Sequence, residues 1–300
     1  MPLALKQPAL ALLVLALPLA ACLYDEDDNA YGQMKLAVTD APVDGATSVV
    51  VQFTGVEFKP RDGMSTVIEF DQPRSIDLLA LQGGGSELLL DGATLPAGQY
   101  NWLRLIVNAE PVLMDSYIAF SDGAMYSLFI PSGDETGLKL VRGFTVPAGG
   151  VADFTLDFDL RKSVHDPASE PGNASGDYIL RPVLRIVDNT QVGRISGTVA
   201  GSLITAGCDP VVYVFAGAEV TPDDVDALET DVDPVTAAPV EQDMDSVEYR
   251  YTAAFLPPGD YTVSFTCDAG QDDPDAEDTL SFSGTQTVAV TGGDTTEANF

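Results

Sequence analysis

The sequence predicts an all-β protein, two antiparallel β-sandwich domains behind a lipoprotein signal peptide, and three observations carry that prediction. From Met34 onward, short apolar runs are punctuated by Gly, Pro, Asp and Asn. Several runs alternate in period two: Phe154, Leu156, Phe158 and Leu160 are apolar while Thr155, Asp157 and Asp159 are polar, so one face is buried and the other wet. A proline-then-glycine turn formula recurs before strands, in Leu95-Pro96-Ala97-Gly98-Gln99-Tyr100, Val146-Pro147-Ala148-Gly149-Gly150 and Leu256-Pro257-Pro258-Gly259-Asp260-Tyr261. Proline presets φ there and glycine accepts the turn that follows.

Residues 1–21 read as an export signal, with Lys6 in the n-region, an apolar stretch from Ala9 to Leu19, and small residues before Cys22. The apolar stretch is shorter than the roughly 20 residues that span a bilayer. Leu19-Ala20-Ala21-Cys22 has the pattern of a bacterial lipobox, which makes Cys22 the lipidation site. The competing reading is an ordinary secretory signal cut near Ala21. Residues 22–33 have no apolar period and read as an acidic tether.

The first domain, 34–190, is expected to place strands at 35–39, 48–58, 66–70, 87–90, 102–108, 117–120, 125–130, 151–159 and 178–188. Asp122-Gly123 supplies a hairpin turn. One helix is expected at 76–82, halted by Gly83-Gly84-Gly85. Residues 161–177 form the longest polar loop. The second domain, 191–300, opens on a strand at 193–199 and continues with strands at 211–216, 249–256, 261–267, 279–282, 285–291 and 295–300. That count in about 108 residues fits an immunoglobulin-like or transthyretin-like sandwich.

Without the signal and its Lys6 the chain carries 46 acidic and 13 basic residues, net −33. Nucleic acid is excluded as a partner by that sign. Docking on an anionic leaflet is opposed as well, since each basic residue contributes only about 1 kcal/mol there. Membrane attachment therefore falls to lipid, where two or three acyl chains hold stably. Residues 34–190 are net −10 and residues 191–300 net −19, so the acidity concentrates in the second domain. Asp supplies 33 of the 46 acidic residues. A solubilising surface and a set of Ca²⁺ ligands compete to explain them.

With Cys22 lipidated, Cys208 and Cys267 remain as an even pair in an exported chain, and a disulfide is expected. It would close a loop of about 60 residues, worth roughly 4 kcal/mol on the chain-entropy account; the alternative is two buried free thiols. His165, on a polar loop edge, is the single histidine of the sequence, so a multi-histidine metal site cannot form within one chain. No Gly-x-Ser-x-Gly elbow and no phosphate-cradling glycine motif is present, and no catalytic residue is assigned. Asp268, Asp272, Asp273, Asp275 and Asp278, with Glu277, crowd one loop after Cys267 and are candidate Ca²⁺ ligands, although their spacing is not that of an EF-hand. Thr221-Pro222-Asp223-Asp224, in an earlier acidic cluster, reads as a helix start with its cap and dipole-compensating acids.

The segments 36–44 (Leu-Ala-Val-Thr-Asp-Ala-Pro-Val-Asp), 49–57, 77–81, 95–100 and 180–184 (Leu-Arg-Pro-Val-Leu) together resemble the bacterial lipoprotein family called domain of unknown function 4382. The resemblance covers about 34–190 and implies an exported lipoprotein, in agreement with Cys22, but no activity and no site residues. Residues 192–300 are similar to small β modules related to the carboxypeptidase regulatory domain, on Ile195-Ser196-Gly197-Thr198-Val199 and the 256–261 turn. The resulting expectation is a non-enzymatic envelope lipoprotein needing no cofactor, with Ca²⁺ as an option, that binds a protein or glycan partner or organises the envelope. Leu23, in place of an aspartate after the lipidated cysteine, favours the outer membrane. A carboxylate-based hydrolase of carbohydrate and a calcium-dependent adhesion module are the alternatives.

Overall fold

A computed structural model describes residues 30–41, 46–131, 137–165, 177–181, 183–226, 232–274 and 276–300. Cys22 and Asp275 lie outside the described residues. The chain is nearly all β, and its strands form four sheets, two within 31–188 and two within 193–297.

The strands of the first half are β1 (Tyr31–Ala41), β2 (Ala46–Pro60), β3 (Thr66–Asp77), β4 (Glu87–Pro96), β5 (Gly98–Asn108), β6 (Tyr117–Phe120), β7 (Met125–Phe129), β8 (Leu138–Leu140), β9 (Phe144–Val146), β10 (Val151–Asp159), β11 (Val164–His165), β12 (Tyr178–Leu180) and β13 (Leu184–Asp188). Sheet I runs β13-β10-β1-β4; sheet II runs β11-β12-β7-β6-β2-β5-β8, with β3 also on β2 and β9 on β5. The period-two pattern explains how they stack. Met34, Leu36 and Val38 of β1 and Leu156 and Phe158 of β10 are fully buried, and they join Val51, Phe53 and Phe58 of β2 in one core. Phe53 meets Phe158 edge-on at 6.4 Å. Each such side chain contributes about 1.5–3 kcal/mol by burial.

The second half adds β14 (Gly193–Val199), β15 (Val211–Ala216), β16 (Thr236–Pro239), β17 (Glu241–Gln242), β18 (Tyr249–Leu256), β19 (Gly259–Thr266), β20 (Phe282–Val290) and β21 (Thr295–Glu297). Sheet III, β17-β18-β14-β21, packs on sheet IV, β16-β15-β19-β20. Val212 and Val214 of β15 point into the core between them, while Val211, Tyr213 and Phe215 join a second core with Val225 and Ala269 on the outer side of sheet IV. Both faces of β15 are thereby covered, as its unbroken apolar run requires. The Cys208–Cys267 disulfide forms, with the Cα atoms 4.6 Å apart.

Several expectations are corrected. The sheets are not purely antiparallel, since β1 runs parallel to β10, β12 to β7 and β14 to β21. Tyr31–Gln33, assigned to the tether, begin β1 and pair with residues 94–96; Gly32 is required there because a Cβ would stand 2.2 Å from the Pro147 carbonyl oxygen. The helix at 76–82 is a single 3₁₀ turn, Leu78–Leu81, because the Asp77 carboxylate accepts the Val49 N–H and the Ser48 hydroxyl and keeps β3 extended. The strand at 178–188 splits into β12, which ends at Leu180 in sheet II, and β13, which begins at Leu184 in sheet I. The strands at 279–282 and 285–291 are one, β20, with a register shift where Gly284 adopts φ +68°. The loop at 161–177 begins with a short helix, α1 (Leu160–Ser163), then β11, so His165 sits half-buried on a strand rather than on a loop.

Candidate functional site

The two halves meet where β10 ends. Asp159 caps α1 by accepting the Lys162 N–H at 3.3 Å, and α1 thereby carries Arg161 and Lys162 against the second half. Arg161, 4% exposed, donates to an Asp272 carboxylate oxygen at 2.7 Å and to the Tyr213 hydroxyl, which itself donates to the same Asp272 oxygen. Lys162 pairs with Asp233. The second Asp272 oxygen accepts the Val225 N–H at 3.1 Å. Burial pushes both Asp272 and Tyr213 upward from their ordinary pKa values, against the lowering pull of Arg161.

Asp224 is 3% exposed; its carboxylate accepts the Asp278 N–H, and burial raises its pKa too. One oxygen each from Asp224, Asp272 and Asp278 lies within 4.8 Å of the others, and Asp223, Asp224 and Glu277 form an overlapping group. The two acidic clusters that are separate in sequence thus converge. Residues 221–226 are not helical: the Val225 N–H goes to Asp272 and the Asp226 N–H to Asp233, so carboxylates across the loop replace the carbonyls a helix would use. Of the expected calcium ligands, Asp272 and Asp278 come together; Asp268 accepts the Ser281 N–H at 2.9 Å, and neither it nor Asp273 joins these groups. Arg161 already neutralises Asp272, and the Val225, Asp278 and Asp273 N–H groups already bond the Asp272, Asp224 and Asp278 carboxylates, so a cation would have to compete with these partners.

Sequence reasoning missed Arg161 and Tyr213. The signals were a dibasic pair directly after an alternating strand, and an apolar run at 211–215 whose second face needed a cover. Gly83-Gly84-Gly85, read as a helix stop, is a further contact: Gly83 and Gly84 adopt φ +69° and +91°, and a Cβ on Gly84 would stand 3.0 Å from the Ala254 methyl of β18.

Two clefts flank this junction. A 270 Å³ cleft is lined by Asp157, Asp159, Lys162, Arg185 and Pro234 among others. Asp157 and Asp159 share a face of β10, about 6.6 Å apart along the strand, and burial raises the pKa of both. Arg185 pairs with Asp157. The other cleft, 430 Å³, lies between β9, β10 and β13 on one side and Pro257-Pro258 on the other.

Among the described residues no helix is long and apolar enough to cross a membrane. Residues 31–182 match the family described as Domain of unknown function (DUF4382). No curated protein matches the chain. Solved structures similar to it include the Bacillus anthracis TIE protein, at 11% identity and TM-score 0.20, covering 90% of this chain and 34% of that one. The minor pilin GBS52 of Streptococcus agalactiae follows at 13% identity and TM-score 0.20, covering 89% and 94%. The fimbrial anchor protein Mfa2 of Porphyromonas gingivalis is similar at 12% identity and TM-score 0.19, covering 83% and 82%.

Proposed function

The chain belongs to the DUF4382 family through residues 31–182, and from that premise we propose that it is a non-catalytic, lipid-anchored protein of the bacterial cell envelope that binds or organises its surroundings from the outer membrane. The observation that carries the reading is the use made of the buried acids. Asp272 accepts from Arg161 across the junction and from Tyr213 and Val225 within the second half, where Asp224 likewise accepts from Asp278, which is the work of structural carboxylates rather than of an acid–base pair. Leu19-Ala20-Ala21-Cys22 supplies the anchor, and the net charge keeps the exposed surface soluble and away from polyanions.

The anchor is tested by growing cells with an alkynyl fatty acid. Labelling of the wild type and its loss in Cys22→Ala, with release of that variant from the membrane fraction, is the expected outcome; labelling retained in the variant defeats the reading. A hydrolytic reading is favoured by one observation, the Asp157–Asp159 pair beside a cleft. Arg185 engages the first and α1 the second, so fluorogenic glycosides are expected to remain intact with the purified chain, and turnover abolished by Asp159→Asn would restore that reading. A resident Ca²⁺ is not required by the proposal: millimolar Ca²⁺ is expected to leave Tm within about 1 °C of its value in chelator, because Arg161 and backbone N–H groups already engage the converging carboxylates.

A further inference from the structure

Cations are scarce in this protein, 14 against 46 acids, and their placement at the junction is informative. Arg161, Lys162 and Arg185 pair with Asp272, Asp233 and Asp157. Arg142 also lines the junction, at the mouth of the 430 Å³ cleft, and among the described residues it has no carboxylate within ion-pair reach. The volume falls in the range of about 300–1,000 Å³ typical of small-ligand sites, which combine apolar walls with a few placed polar groups.

The walls have that composition. Phe154 is half-buried and is held edge-to-face by Phe144, with centroids 5.6 Å apart, while Phe144 is itself stacked on Tyr100 at 5.1 Å. The Phe154 ring is therefore a fixed shelf, and Pro257 and Pro258 of the second half face it across the cleft. Thr145 and Gln191 add exposed hydrogen-bonding groups, and Gln191 is steadied by donating to Asp188 at 3.0 Å. An apolar shelf beside hydroxyl and amide groups suits a ring with an aliphatic face and a hydroxylated edge. The Arg142 guanidinium, a planar fork matched to carboxylate, selects one acid group on that ring. A polyanion is disfavoured by the protein's own field, so the acid group must be single; screening over about 8 Å at physiological salt leaves the Arg142 contact intact.

We propose that the cleft between the two halves binds a sugar acid, a pyranose bearing one carboxylate, with Arg142 pairing the carboxylate and Phe154 and Pro257 flanking the ring. This deepens the binding role proposed above and rests on it for its biological sense, but it fails separately, because it is measured on the detergent-solubilised full chain whether or not Cys22 is lipidated.

The test is titration calorimetry with D-glucuronate, D-glucose and benzoate at physiological salt. Saturable binding of glucuronate is expected, at least tenfold tighter than glucose, which lacks the acid, and than benzoate, which lacks the hydroxyls. Arg142→Ala, at an exposed position, is expected to weaken glucuronate at least tenfold, and Arg142→Lys several-fold because a point charge replaces the fork. No saturable glucuronate binding overturns the proposal. So does equal affinity for glucose, equal affinity for benzoate, or glucuronate affinity unchanged in Arg142→Ala.

Discussion

The two halves of this protein solve the same architectural problem with different means. The first, net −10 over 34–190, builds one continuous core from two large sheets and keeps eleven cations, several of them paired with its own carboxylates. The second, net −19 over 191–300, has two cations, two smaller cores and a disulfide. Its buried Asp272 and its Asp233 receive their positive partners from α1 of the first half. An acidic surface is easily solvated, but an acidic interior requires a counter-charge, and this one is supplied across the junction between the two halves.

The contrast breaks first at Arg161. Replacing it with Ala leaves Asp272 buried without its cation, and a loss of about 3–5 kcal/mol is expected, read from the midpoint of urea unfolding and concentrated in the second half. The pair Arg161→Met with Asp272→Asn is expected to recover part of that loss, since it deletes the uncompensated charge while the Asn amide oxygen still accepts the Val225 N–H. Full additivity of the two single losses would show that the pair is not coupled. Reduction of Cys208–Cys267 is the next largest effect, up to about 4 kcal/mol for a separation of 59 residues. Asp209 N–H bonds the Cys267 carbonyl at 3.0 Å, and the acidic loop leaves directly after Cys267, so reduction should also loosen the Asp272 contacts. A reduced protein that melts like the oxidised one contradicts this.

These dependencies explain how much could be read in advance. The β class, most strand positions and the cysteine pairing follow from local pattern, because alternation, turn residues and cysteine parity are properties of neighbouring residues or of counts. The junction is not local. Arg161 and Asp272 are 111 residues apart, and nothing within either segment marks the other as its partner. Asp224 and Asp278, 54 residues apart, were likewise assigned to separate clusters, and Thr221-Pro222-Asp223-Asp224 carries a genuine helix-start pattern that tertiary hydrogen bonds override. The proposed anchor differs again: its lipobox-like pattern is legible in four residues, but these lie outside the described residues.

Acid provides a smaller perturbation of the same junction. Asp157 and Asp159 on the first side and Asp224 and Asp272 on the second all have pKa values raised above the ordinary carboxylate range, burial being the largest cause in each. A carboxyl raised in the folded state holds its proton more tightly than in the unfolded chain, so its contribution favours folding at low pH and is lost as pH rises from the unfolded value near 3.9 through the folded one. Lowering the pH from 7 toward the unfolded value of about 4 is therefore expected to raise Tm, aided by relief of the overall negative charge. Half-buried Asp243, whose pKa is lowered by the Ser246 and Asp245 amides, works in the opposite direction. A Tm that falls steadily over this interval would mean that the buried acids are better stabilised in their charged forms than their surroundings indicate.

The smallest expected effect tests a device that the two halves share. In the turn at 95–100 the Tyr100 hydroxyl donates to the Pro96 carbonyl, and in the turn at 256–261 the Tyr261 hydroxyl donates to the Pro257 carbonyl, both at 2.8 Å. The same sequence formula thus closes the same four-residue loop in two unrelated surroundings. Tyr100→Phe and Tyr261→Phe each remove one hydroxyl and keep the ring, so each should cost about 0.5–1.5 kcal/mol in urea unfolding. If the turn is a self-contained local device, the two costs will agree within a few tenths of a kcal/mol and will add in the double variant. Tyr100 stacks on Phe144 behind the sugar-acid cleft, whereas Tyr261 reports on the side that carries Pro257. Unequal or non-additive costs would place the turns within the junction, coupling the likeness of the two halves to the contact that joins them.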